Sequence, residues 1–140
     1  MTSPAGPFER FGGHEFFDTL IGQFYARVAT DPVLRPLYPE EDLRPAAERL
    51  QLFLEQYWGG PTTYSQERGH PRLRMRHAPF PVDAAAHDAW LANMRAALDV
   101  AAAQHGVSDQ DEAELWEYLT RAAFAMVNAF PGPVDAPSPP

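Results

Sequence analysis

Apolar residues recur at three- and four-residue spacing along four long stretches of the chain, a pattern that predicts amphipathic α-helices. A shorter apolar pattern over 8–13 predicts an opening helix, and the segment 33–38 has room for one helical turn. No stretch alternates apolar and polar residues as a half-buried strand does. The pattern therefore predicts an all-α fold, with its main helices over 14–30, 45–58, 84–104 and 108–129.

Signals at the helix ends agree with these boundaries. Asp83 stands where an N-cap is expected for the helix over 84–104, and Gly106 follows that helix as a stop. Ser108, with Asp111 three residues later, forms a variant of the capping box. Two helix pairs, 16–30 with 45–58 and 84–104 with 108–129, can thus close around an apolar slot.

The helix over 45–58 should contribute one apolar face to that slot. Proline in its first turn is tolerated there, because the missing N–H would have no helical partner. The face comprises residues spaced three and four apart, with Ala46 one turn before them on the same side. Its expected members are Leu50, Phe53, Leu54 and Tyr57.

Composition places the chain among single-domain proteins with an apolar core. It has 140 residues, 45% of them hydrophobic, and no cysteine, which excludes disulfides and thiolate metal sites. The net charge of −8 argues against nucleic-acid binding. No stretch has the roughly 20 apolar residues of a membrane span and no signal peptide is apparent, so a cytoplasmic location is expected. We expect the domain to cover 8–130, between disordered segments at 1–7 and 131–140.

The segment 70–80, HPRLRMRHAPF, holds the most distinctive chemistry of the chain. Pro79 ends any helix beneath His77, so one imidazole stands at the end of a helical turn. The neighbouring arginines are permanent cations, which disfavours a bare zinc ion and favours a ligand that brings both iron and carboxylates. Haem meets both requirements. The competing interpretation, a histidine that caps the helix or faces solvent, is left open by these residues alone.

Several motifs in fixed order resemble the group II truncated haemoglobins. They are Phe24-Tyr25, the run LYPE at 37–40, the run FLEQYWGGP at 53–61, the segment 70–80 and Trp90. The resemblance covers about 8–130. It implies a two-over-two helical sandwich around haem b, iron protoporphyrin IX, with His77 as the iron ligand and the sixth position of the iron open.

The same resemblance assigns roles around the haem. Tyr25, Tyr38 and Trp90 would donate hydrogen bonds to a ligand on the distal side, where Ala46 has no donor to offer. For Tyr25 the alternative is an ordinary core tyrosine. Arg49 and Arg76 would pair with the propionates. The remaining haem contacts would come from Leu50, Phe53, Leu54, Leu73 and Phe80.

Three donors around one site favour tight binding of dioxygen, which gains partial negative charge when held there. Carbon monoxide, nitric oxide, peroxide and sulfide are further candidate ligands. A second hypothesis is an enzyme, a nitric oxide dioxygenase or peroxidase-like detoxifier, which needs a reductase that this domain does not encode. A third is a haem-free helical domain in which the Arg/His segment binds anions. The sequence leaves the reductase unidentified and a homo-oligomer open.

Overall fold

The computed structural model describes residues 6–39, 41–62 and 83–125, and all regular structure within these ranges is helical. A 3₁₀ turn over Arg35–Leu37 lies between the second and third helices. The predicted all-α fold is confirmed. Each helix begins and ends within two residues of its predicted position, except that the last helix is described only to Ala125 and was predicted to reach 129. The helices are α1 (Pro7–Phe11), α2 (Gly13–Val28), α3 (Arg44–Tyr57), α4 (Ala84–His105) and α5 (Asp109–Ala125).

The predicted caps of α4 and α5 are present. Asp83 Oδ1 accepts a hydrogen bond from the Ala86 N–H at 2.8 Å. Gly106 takes the left-handed conformation, with φ of 64°, which ends α4. The Ser108 hydroxyl accepts from the Asp111 N–H at 3.1 Å at the start of α5. These local bonds satisfy backbone groups that would otherwise have no partner at a helix end.

The core is built around α2, which packs against α1, α3 and α4. One side of α4 meets it with small and medium-sized side chains, among them the fully buried Ala97, Leu98 and Ala101. α5 packs against α4 and α1, and buries Leu115 and Leu119. No helix in the described part of the chain is both long and apolar enough to cross a membrane. The buried face of α2 consists of Phe16, Phe17, Leu20, Ile21, Phe24, Tyr25 and Val28.

The end of α3 departs from the expected pattern. Tyr57 was predicted to lie on the buried face, and that prediction was wrong, because 52% of its surface is exposed. Tyr57 is the last residue of α3, and its ring stacks on Tyr118 of α5 at a centroid distance of 4.1 Å. The next residue, Trp58, is buried against Phe11, with ring centroids 5.1 Å apart. The indole therefore fills the core position expected of the tyrosine.

A buried carboxylate joins α2 to α3. Glu55 is only 3% exposed, and its Oε2 accepts a hydrogen bond from Gln51 Nε2 at 2.9 Å. The same oxygen lies 2.8 Å from His14 Nδ1, which donates when that nitrogen carries the proton. A buried polar group is tolerated when it is hydrogen-bonded in this way. The pair fixes the start of α2 against the last turns of α3.

Gly12 provides a test of the joint between α1 and α2. Its φ is 122°, and an added Cβ would lie 3.0 Å from Phe16 Cβ. We therefore expect Gly12→Ala to lower the free energy of unfolding by about 1–3 kcal/mol. The matched control is Gly22→Ala in the interior of α2, where nothing lies within 4 Å of an added Cβ. That variant should gain about 0.4–1 kcal/mol. Urea unfolding of both variants measures the difference, and equal effects would contradict it.

Candidate functional site

Three of the predicted ligand-binding side chains come from separate elements and meet in one aromatic cluster. Tyr25 lies on α2, Tyr38 follows the 3₁₀ turn, and Trp90 lies on α4. The Tyr25 and Tyr38 ring centroids are 5.7 Å apart at an interplanar angle of 78°. The Phe24 ring lies 5.0 Å from Tyr25 and 5.4 Å from Trp90. These edge-to-face contacts are the favoured geometry for aromatic pairs. We call these four residues the distal cluster, after the side of the haem on which Tyr25, Tyr38 and Trp90 are predicted to lie.

Phe24 is the member of the distal cluster that the sequence did not assign to the site. Its three- and four-residue spacing marks it only as part of the buried stripe of α2. In the structure it is fully buried, and its ring contacts join Tyr25 to Trp90. The sequence signal that could have assigned Phe24 to the site is its position directly before Tyr25, which was a predicted site residue.

The distal cluster lies at the margin of the core. Tyr25 is 8% exposed, whereas Tyr38 and Trp90 are half-buried and pack against the same buried residues. Hydrogen bonds are electrostatically stronger in such low-dielectric surroundings than in water. Two phenols and one indole therefore bring polar groups into a mainly apolar region.

The predicted face of α3 belongs to the same apolar core. Ala46, Phe53 and Leu54 are buried, whereas Arg49 and Leu50 are half-buried. Alanine has no hydrogen-bond donor in its side chain, so α3 contributes no polar group at that position. An apolar helix face with a partly exposed leucine suits a large, flat, apolar ring system. The residues present thus fit the haem that the sequence predicts.

Four further predicted site residues lie outside the described ranges. They belong to the segment 70–80, and their roles as iron ligand, propionate partner and haem contacts remain predictions. These residues are Leu73, Arg76, His77 and Phe80.

The segment that carries Tyr38 is held by the side chain of Arg35. Its Nη1 donates to the Tyr38 carbonyl and its Nη2 to the Glu41 carbonyl, both at 3.0 Å. One guanidinium thus spans the connection from the 3₁₀ turn to α3. It can do so because its N–H donors are held in a rigid plane, which a lysine ammonium does not offer. The backbone position of Tyr38 is therefore determined by a local polar contact as well as by ring packing.

Asp31 begins the segment between α2 and α3 that carries Tyr38, which we call the corner. Its carboxylate connects the corner to α4. Its Oδ1 accepts from the N–H groups of Val33 and Leu34, both at 2.8 Å. Its Oδ2 accepts from Asn93 Nδ2 at 2.9 Å. The hydrogen bond from Asn93, followed by that from the Leu34 backbone, holds the pKa of Asp31 below its usual value. The carboxylate is therefore ionised at neutral pH and joins two elements.

In the described residues, the all-helical structure, the apolar face of α3 and the aromatic cluster agree with the predicted globin fold. A family model described as bacterial-like globin matches residues 7–128, and the chain belongs to that family. Within it, the chain is a group II truncated haemoglobin, as the motifs predicted. It is 46% identical over 122 residues to the group 2 truncated haemoglobin YjbI of Bacillus subtilis (strain 168), covering 87% of this chain and 88% of that protein.

Solved structures agree with this assignment. A thermostable haemoglobin from the actinobacterium Thermobifida fusca superposes with a TM-score of 0.85 at 58% identity, covering 89% of this chain and 98% of that one. A structure described as truncated oxygen-avid haemoglobin from Bacillus subtilis gives a TM-score of 0.80 at 40% identity, covering 89% and 100%. The predicted truncated-globin fold is confirmed by these matches, and membership of the globin family implies haem binding.

Proposed function

We propose that this chain binds haem b against α3 and holds dioxygen tightly beside the distal cluster. The observation that carries the proposal is the convergence of Tyr25, Tyr38 and Trp90, from three separate elements, on one region of the core margin. The avidity for oxygen described for the Bacillus subtilis haemoglobin is a property of that protein. It supports the same expectation for this chain, which shares the fold.

On this proposal the cofactor is held mainly by apolar contacts. Leu50, Phe53 and Leu54 of α3, with Leu73 and Phe80, cover the macrocycle, whose burial favours binding. His77 would bind the iron through a neutral imidazole nitrogen, and Arg49 and Arg76 would pair with the propionates. When bound, haem would supply an iron that can take up a small ligand such as dioxygen.

The distal cluster determines how strongly that ligand is retained. The phenol hydroxyls of Tyr25 and Tyr38 and the indole N–H of Trp90 can each donate a hydrogen bond. Each bond contributes roughly 0.5–1.5 kcal/mol. Two or three of them together would slow release by about 5- to 2000-fold. Such slow release suits retention of oxygen better than delivery.

The same three donors favour a second candidate function. Donors that slow release of dioxygen leave time for it to react with nitric oxide, and they can polarise the O–O bond of a peroxide. A nitric oxide dioxygenase or peroxidase-like activity requires an external reductant. Turnover of nitric oxide with a reductase present separates the two functions, because simple oxygen binding predicts no sustained consumption.

The assignment of His77 as the iron ligand predicts different outcomes for the two histidines of the segment 70–80. His77→Ala should greatly weaken haem retention and shift the Soret band, because it removes the proposed iron ligand. His70→Ala, seven residues upstream, should leave retention and spectrum nearly unchanged. Haem titration with absorption spectroscopy measures both variants, and the opposite result would overturn the assignment of His77.

The proposed role of Trp90 predicts unequal effects on two ligands. Trp90→Phe removes one donor, so release of dioxygen should accelerate by about 2- to 12-fold, the equivalent of one hydrogen bond. Release of carbon monoxide should change far less, because that ligand carries little charge when bound. Trp116→Phe is the matched control, since Trp116 lies on α5, outside the distal cluster. Flash photolysis and stopped-flow measure both rates, and equal changes for the two ligands would indicate altered packing instead.

The two tyrosines should act through their hydroxyl groups. Tyr25→Phe and Tyr38→Phe keep the rings, so each should accelerate dioxygen release, and the double variant should accelerate it further. Tyr118→Phe is the control, because its ring stacks on Tyr57 away from the distal cluster. Unchanged dissociation rates in all three site variants would make Tyr25 and Tyr38 ordinary core residues.

A further inference from the structure

One hydrogen bond joins the corner that carries Tyr38 directly to the helix that carries Trp90. Asn93 Nδ2 donates to Asp31 Oδ2 at 2.9 Å across 62 residues of sequence. The ring contacts of the distal cluster also connect these two elements, but by way of Phe24 on α2. The Asp31–Asn93 bond is therefore a separate link between two of the proposed donors.

The amide of Asn93 is fixed relative to Trp90. Its Nδ2 also donates to the Ala89 carbonyl at 2.8 Å, so both amide hydrogens are in use. Ala89 immediately precedes Trp90, and Asn93 lies three residues after it, on a neighbouring position of the helix surface. The amide thus moves with the turn of α4 that bears the indole.

The carboxylate of Asp31 is fixed relative to Tyr38. Oδ1 accepts from the backbone of Val33 and Leu34, and the Leu34 side chain is buried in the core. The chain then passes through the 3₁₀ turn over Arg35–Leu37 to Tyr38. A shift of Asp31 would therefore be transmitted through a short, hydrogen-bonded segment to the phenol.

We propose that Asp31 and Asn93 are positioning residues that set the separation between Tyr38 and Trp90, so that both side chains reach one bound ligand. This inference rests on the proposed roles of Tyr38 and Trp90 as donors. Hydrogen bonds weaken steeply as length and angle depart from their favoured values, so a small relative shift of the corner and α4 reduces the effect of both donors.

Asn93→Leu in the haem-loaded protein tests the proposal, because it keeps the side-chain size and removes the amide. The ratio of dioxygen to carbon monoxide release rates should rise by about threefold or more. The carbon monoxide stretching frequency in the infrared, which reports the polarity around the ligand, should move as it does in Trp90→Phe. If Asn93→Leu does not fold, Asn93→Ala, which also removes the amide, carries the same comparison.

The matched control is Thr19→Val. Thr19 Oγ1 lies 2.9 Å from His105 Nε2, so this contact also joins α4 to a distant segment, but outside the distal cluster. Thr19→Val should change the free energy of unfolding without changing the ratio or the infrared band. If Asn93→Leu behaves in the same way, its role is structural and the proposal is wrong.

Combined variants separate this proposal from the proposed function. The effect of Asn93→Leu on the ratio should shrink in a Tyr38→Phe/Trp90→Phe background, because the donors that it positions are absent. An undiminished effect there would overturn the positioning role. If Tyr38→Phe and Trp90→Phe themselves leave the ratio unchanged, Tyr38 and Trp90 are not donors to the ligand. Their proposed roles and the inference that rests on them are then both wrong. If they change it and Asn93→Leu does not, only the inference fails.

Discussion

The buried aromatic stripe of α2 is the contact on which the remaining helices depend. Its phenylalanines are fully buried, and α1, α3 and α4 all pack against the helix that carries them. Burial of large apolar side chains is the main favourable contribution to the free energy of folding. The stripe therefore holds the neighbouring helices mainly because their contact removes apolar surface from water. Phe24 and Tyr25 belong to the stripe and also to the distal cluster. The site is therefore an extension of the core, and its geometry follows from the packing of α2.

The helices could be predicted from the sequence because their determinants are local. Asp83 and Gly106 act within one turn of the helix ends that they define, and the spacing of apolar residues reports the buried face directly. The wrong prediction for Tyr57 also follows from the use of local spacing alone. Spacing places it on the face with Leu54, but the helix ends there, and it is the following Trp58 that turns into the core.

The site could be predicted only as far as motif resemblance reached. Tyr25, Tyr38 and Trp90 were identified in this way, and the structure shows them meeting. The ring of Phe24 that connects them was not assigned to the site, and neither was the bond between Asp31 and Asn93. No local spacing marks a polar pair 62 residues apart. Such pairs depend on how whole helices pack, which periodicity does not describe.

The alanine at position 46 has a consequence for how this protein can diversify. Because Ala46 offers no donor, the proposed ligand selection comes from α2, the corner and α4. The proposed retention of the cofactor depends instead on the apolar face of α3 and on residues of the segment 70–80. The two traits are thus encoded by different parts of the chain. On the proposed function, substitutions that change the affinity for a gas need not weaken retention of the prosthetic group, so the scaffold can acquire a new ligand preference without losing its cofactor.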